Sequence, residues 1–181
     1  MALSATIHNF TVRLADADRH VYETLELRVA RHPSESEDRL VGRLLAYCLE
    51  YAEGIAFSRG LSDPDEPAIA VRDLTGVLTA WIDVGLPDAA RLHKAGKAAK
   101  RVAVYAHRDP SVWLRGLTGE RIHRGAEMKL VELDRGLIAG LVKRLDRRMS
   151  LDLSVSEQHL YVSLGDVHFE GALEPLSLAP A

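Results

Sequence analysis

The chain has 181 residues, 47% hydrophobic and 27% charged, with 13 Gly and 7 Pro. That length suits one domain over 1–181, large enough to bury roughly 70% of its unfolded surface. The composition excludes a low-complexity, disordered or fibrous chain, and the net charge of −3 confines any polyanion to a local patch.

No apolar stretch approaches the roughly 18 residues of a membrane span. Residues 1–8 lack the basic and apolar regions of a secretory signal. The single cysteine, Cys48, has no partner for an internal disulfide. A cytoplasmic location is the expectation.

Residues 5–14 place Ile7 on one face and Phe10, Val12 and Leu14 on the other. That shift of face predicts a bulge or twist in a first strand. Residues 16–19 read as a turn, and 21–31 as a second strand in which Leu25, Leu27 and Val29 alternate with Glu26 and Arg28. Pro33 ends this hairpin. Ser34 and Glu37 form a capping box, and a helix is predicted to about Glu53 with Leu40, Leu44, Cys48 and Tyr51 as its buried stripe. Cys48 on that stripe reads as inert core.

A loop over 58–67 leads to strands over 68–72 and 77–84, joined by a turn at 73–76. A helix over 88–99 and a buried strand over 101–106 follow. With strand 77–84 they make a βαβ unit, which predicts parallel strands. Residues 107–127 hold room for one short helix. A strand over 128–133 precedes a helix from Asp134 to about Met149, and 151–156, 159–164 and 167–173 read as strands. The fold class is α/β: a mixed sheet with flanking helices.

Asp83 is the carboxylate that stands out. It sits near the end of a strand otherwise almost wholly apolar, on the face it shares with Thr79 and Trp81. A buried carboxylate is costly unless it is hydrogen-bonded, paired or metal-bound. It reads either as a cap for helix 88–99 or as a functional acid. Asp65 and Glu66 precede the partner strand, and Pro67 stiffens their approach. They read as an acidic loop or, converging with Asp83, as oxygen ligands for Mg²⁺ or Mn²⁺. Arg91, Lys94, Lys97 and Arg101 recur at three- and four-residue steps, with Lys100 beside them. This stripe is either a solvated face or a surface for nucleic acid. Glu35 reads as a favourable first-turn acid on the first helix. The eight histidines show no zinc spacing.

Asp18-Arg19-His20-Val21-Tyr22, His32-Pro33-Ser34-Glu35 and Arg43-Leu44-Leu45-Ala46-Tyr47-Cys48-Leu49 occur in series. Phe57-Ser58-Arg59-Gly60-Leu61, Asp65-Glu66-Pro67, Trp81-Ile82-Asp83-Val84-Gly85-Leu86-Pro87 and Lys94-Ala95 follow. Over nearly its whole length the chain resembles the bacterial YaeQ family, whose fold is similar to the PD-(D/E)xK nuclease superfamily. The resemblance implies a core of helix, three-stranded meander, helix and strand, with added N- and C-terminal strands. It also implies a Mg²⁺ or Mn²⁺ site of Asp83 with Asp65 or Glu66 as the second-strand acid, and a first-helix acid at Glu35 or at Glu37. The superfamily's lysine, two positions after the third-strand acid, is Gly85 here. In the superfamily a lysine from the following helix can replace it, which makes Lys94 the candidate the resemblance implies. Two functions follow: metal-assisted phosphodiester hydrolysis through Glu35, Glu66, Asp83 and Lys94, or a non-catalytic binding or scaffold role on a degenerate nuclease fold.

Overall fold

A computed structural model describes residues 4–59 and 63–178. The chain forms two compact units, each assembled from two stretches of sequence. One takes the residues up to Val41 and Leu133–Leu173; the other takes Gly42–Glu132 and the residues from Glu174 onward. None of the described helices is long and apolar enough to cross a membrane.

In the first unit β1 (Thr6–Asp16) and β2 (Val21–Arg31) pair antiparallel along their whole length. The predicted bulge is absent: Phe10, Val12 and Leu14 enter the core and Ile7 merely lies half-buried on the outer face. β1 then pairs in parallel with β8 (Arg148–Ser156), followed by β9 (His159–Leu164) and β10 (Val167–Leu176). The sheet order is β2-β1-β8-β9-β10. The β8–β9 turn puts both Glu157 and Gln158 in the left-handed region, and the Asp18 carboxylate accepts from both of their N–H groups at 2.7 and 2.9 Å. Those bonds offset the steric cost of left-handed backbone at non-glycine residues.

Helix α4 (Arg135–Val142) is shorter than the sequence predicts. Its start at Asp134 holds, with the carboxylate accepting from Leu137 N–H at 2.7 Å. Its end does not. Leu151, Leu153 and Val155 alternate inward, and pairing with β1 extends the strand back to Arg148. A period of two takes over before the helix can reach Met149.

Helix α1 (Glu37–Leu49) starts later than the capping box implies. Ser36, not Ser34, caps it by accepting from Arg39 N–H at 3.2 Å, while the Ser34 hydroxyl pairs with His32. Glu35 therefore precedes the helix rather than occupying its first turn. Leu40, Leu44 and Cys48 are buried as the periodicity requires; Tyr51 lies past the helix end.

The second unit contains the short strand β3 (Ile55–Phe57), then β4 (Ile69–Arg72) and β5 (Leu78–Val84) as an antiparallel meander. Helix α2 (Ala89–Ala98) crosses to β6 (Arg101–Ala106), which runs parallel to β5 as expected. Helix α3 (Ser111–Leu117) and a 3-10 turn at Gly125–Glu127 lead to β7 (Lys129–Leu133), parallel to β6. The order is β7-β6-β5-β4-β3. Residues 80–84 of β5 are all buried, so this central strand is covered on both faces.

At the β4–β5 turn one Asp73 oxygen accepts from the Thr75 hydroxyl at 2.6 Å and from the Thr75 and Val77 N–H groups at 2.9 and 3.0 Å. These bonds, that of the Thr75 hydroxyl first, hold its pKa below the usual carboxylate range. A depressed pKa stabilises the fold above the unfolded value, and the effect is lost as pH falls through the folded one. Asp73→Ala is expected to lower the thermal midpoint at pH 7, by a margin that shrinks as pH drops below about 4. A margin unchanged at pH 3 contradicts this.

Gly42 of α1 packs where a β-carbon would stand 3.0 Å from Val84 Cγ1 and 3.3 Å from His107 Cβ. Both neighbours are buried. Gly42→Ala gains up to about 1 kcal/mol of helix propensity but incurs about 1–3 kcal/mol of overpacking. Net destabilisation of about 1 kcal/mol is expected in urea denaturation; a stabilised variant contradicts the packing.

Candidate functional site

The site is built around Asp83, whose side chain is 6% exposed. Because side chains alternate along β5, Trp81 lies on the same face two residues earlier, and its indole N–H donates to Asp83 Oδ2 at 2.9 Å. Ala68 N–H, from the segment entering β4, donates to Oδ1 at 3.1 Å. Arg91, in the first turns of α2, closes the arrangement. Its Nε donates to Oδ2 at 2.7 Å and its Nη2 to Oδ1 at 2.9 Å. This is the two-point guanidinium–carboxylate geometry. The four N–H donors match the carboxylate's roughly four lone-pair sites.

Asp83 is therefore not a helix cap. That place belongs to Asp88, whose carboxylate accepts from Arg91 N–H at 2.8 Å. Arg91 also reaches the loop before β4. Nη2 donates to the Glu66 carbonyl at 2.8 Å and Nη1 to the Asp63 carbonyl at 3.5 Å, while the guanidinium carbon lies 5.2 Å from the Trp81 ring centroid. Hydrogen bonding to Asp83 raises its pKa further above an already high value, so it stays charged.

Lys94, one turn on, donates to the Asp65 carboxylate. Both partners are open to solvent, so the pair contributes little to stability. Arg91 thus joins Asp83 to the loop before β4, and Lys94 of the same helix joins that loop at Asp65. Glu66 takes part through its backbone carbonyl. Glu35 belongs to the first unit, where its buried carboxylate accepts from Arg39 at 2.8 Å and its carbonyl from Arg31 at 3.1 Å. Glu37 opens α1.

A divalent cation at Asp83 would have to displace Arg91, since the oxygens that would face it are already filled by N–H donors. Among the described residues no three His, Cys, Asp or Glu side chains gather to hold a metal. The donor set fits a guanidinium and does not fit Mg²⁺ or Mn²⁺ with Arg91 in place.

The basic stripe on α2 is partly spent inside the fold. Arg91 pairs with Asp83, Lys94 with Asp65 and Arg101 with Glu50. Lys97 and Lys100 are exposed and form no ion pair among the described residues. Glu50 was not legible beforehand. It follows α1, its side chain is fully buried, and it takes Arg101, the Tyr105 hydroxyl and Lys129, the last at 3.1 Å. A polar residue continuing a buried stripe was the signal for it.

A family model described as YaeQ protein matches residues 1–172. The chain belongs to the YaeQ family. It is 36% identical over 165 residues to the uncharacterized protein YaeQ of Salmonella typhi, covering 90% of this chain and 91% of that one. The Escherichia coli K12 YaeQ is 36% identical over 166 residues with the same coverage. Among solved structures, the YaeQ protein of Pseudomonas syringae aligns with a TM-score of 0.85 at 33% identity, covering 96% of each chain. That of Xanthomonas axonopodis pv. citri gives 0.87 at 29% identity, covering 97% of this chain and 100% of that one. The mixed α/β fold is thus the YaeQ fold.

Removing Arg91 strands a buried carboxylate. Arg91→Met is expected to cost about 3 kcal/mol or more in denaturant unfolding. Asp83→Leu added to it should restore part of that loss, giving a coupling of at least about 1 kcal/mol. Additive losses contradict the pairing.

Proposed function

We propose that this YaeQ protein is a non-catalytic binding or scaffold protein on a nuclease-like core, with Arg91 standing where a nuclease of that type holds its metal. The order α1, β3–β4–β5, α2, β6 supports relating the core to the PD-(D/E)xK superfamily. The observation that carries the reading is the saturation of Asp83 by Ala68, Trp81 and Arg91. Metal-assisted hydrolysis needs an acid whose oxygens face a cation and a phosphate. Here the acid faces a fixed internal charge instead.

Hydrolysis through Asp83 and Lys94 is the second reading, and the closeness of Lys94 to Asp65 speaks for it. A lysine beside the carboxylate cluster could offset charge developing on a phosphoryl oxygen. The two readings separate on metal. On ours, millimolar Mn²⁺ leaves the thermal midpoint of the wild type and of Asp83→Asn equally unchanged. Single- and double-stranded DNA and RNA stay intact under the same conditions. An upward shift in the wild type that Asp83→Asn abolishes, with cleavage lost in Lys94→Ala, would overturn our reading in favour of hydrolysis.

A further inference from the structure

The first unit presents a bare sheet face whose chemistry the Asp83 site does not use. Register places its outward side chains in rows across β2, β1 and β8. At one end lie Arg28, Asn9 and Arg148; next come Glu26, Thr11 and Ser150. Thr24, Arg13 and Asp152 follow, with Ser163 of β9 beside Asp152. At the far end lie Tyr22, Ala15 and Ser154, with Tyr161 of β9 beside Ser154.

The two ends differ in character. Arg28 and Arg148 are exposed, and the connection from α4 into β8 adds exposed Lys143, Arg144 and Arg147. That connection adjoins the first row through the Asn9 N–H to Arg147 carbonyl bond at 2.7 Å. These five cations form no ion pair among the described residues. Of the nearby acids, Asp152 pairs with Arg13; Glu26 and Asp146 keep their charge, accepting from the Thr11 hydroxyl at 2.9 Å and from Arg147 N–H at 2.7 Å, and are outnumbered by the five cations. At the other end Tyr22 and Tyr161 are 63% and 45% exposed, and the His159 ring centroid is 4.9 Å from that of Tyr161. Six residues of strand separate the ends, about 20 Å.

We propose that this face binds single-stranded nucleic acid, with the phosphate backbone at the Arg28, Arg147 and Arg148 end and unpaired bases stacked on Tyr22 and Tyr161. Unpaired cations concentrated in a chain of net charge −3 call for an anionic partner. Arginine predominates, and its fork matches phosphate. An open sheet with exposed aromatic rings offers stacking that a duplex cannot use, and stacking tolerates any base. No large exposed apolar side chain lies at the basic end to anchor a protein interface.

The test is fluorescence anisotropy with labelled 20-mers of dT and U, at 50 and 200 mM NaCl with EDTA present. EDTA makes the result independent of metal at Asp83, so this proposal and the reading of that site fail separately. The wild type should bind both oligomers. Arg147→Ala/Arg148→Ala should bind at least tenfold more weakly at 50 mM, with the log–log salt slope reduced by about 1.4. Tyr22→Ala/Tyr161→Ala should weaken binding roughly tenfold or more with the slope unchanged. Lys97→Ala/Lys100→Ala should bind as wild type. All substituted side chains are solvent-exposed, and unchanged thermal midpoints verify folding. Any of four results would overturn the proposal: no binding at 50 mM, loss only in the α2 variant, an unaffected tyrosine variant, or equal binding of duplex DNA or polyglutamate.

Discussion

A carboxylate inside a sheet must find a positive charge, and most of the second unit's local architecture follows from how Asp83 does so. Leaving it unpaired would cost several kcal/mol, a large share of the stability of a domain this size. Strand β5 is central and covered on both faces, so water cannot meet the need. The loop into β4 and the start of α2 therefore bring their N–H groups to it. One arginine then fixes three elements at once: the strand end, the helix and the acidic loop. The same atoms that make the fold stable fill the Asp83 oxygens, which is why the proposed reading gives this acid no catalytic metal.

Glu50 repeats the solution within the same unit. A carboxylate just past a helix C-terminus meets the wrong end of the helix dipole. Arg101, Lys129 and the Tyr105 hydroxyl surround it, and Lys129 also lies 5.5 Å from the Tyr105 ring centroid. Two cations from the neighbouring strands β6 and β7 thus converge on one acid. Charges that look like a solvated helix stripe in the linear sequence are in part the counter-ions of buried acids.

Order and type were legible for the elements whose period decided them, whereas the three-residue strand β3 is too short to show one. Alternation marked β1, β2 and β5, and three- and four-residue steps marked α1 and α2. Boundaries failed where two signals competed. Ser34 and Ser36 could both cap, and the helical run after Asp134 met the strand pattern of 148–155. Asp83 stood out because a charge in an apolar strand is visible without coordinates. Its partner did not, because Arg91 matched the spacing of the surface stripe and nothing local marks a side chain that folds back over a four-residue loop. Trp81 was closer to hand, since its place two residues before Asp83 already put the indole on the acid's face. The outer face of the first unit was hidden for another reason: Arg28, Arg148, Tyr22 and Tyr161 come from separate strands, and only the parallel β1–β8 pairing aligns them.

The two units thus carry different chemistry, one built around buried acids closed on their own cations and one with a face of cations left open to solvent. The central claim concerns the closed one, that the Arg91 guanidinium is the cation of the Asp83 site. Anomalous diffraction from crystals soaked in Mn²⁺ tests it most directly. The account predicts no Mn²⁺ peak within coordination distance of Asp83 and Arg91 still in two-point contact with its carboxylate. A Mn²⁺ peak at about 2.0–2.6 Å from the Asp83 oxygens, with Arg91 swung away, would contradict it.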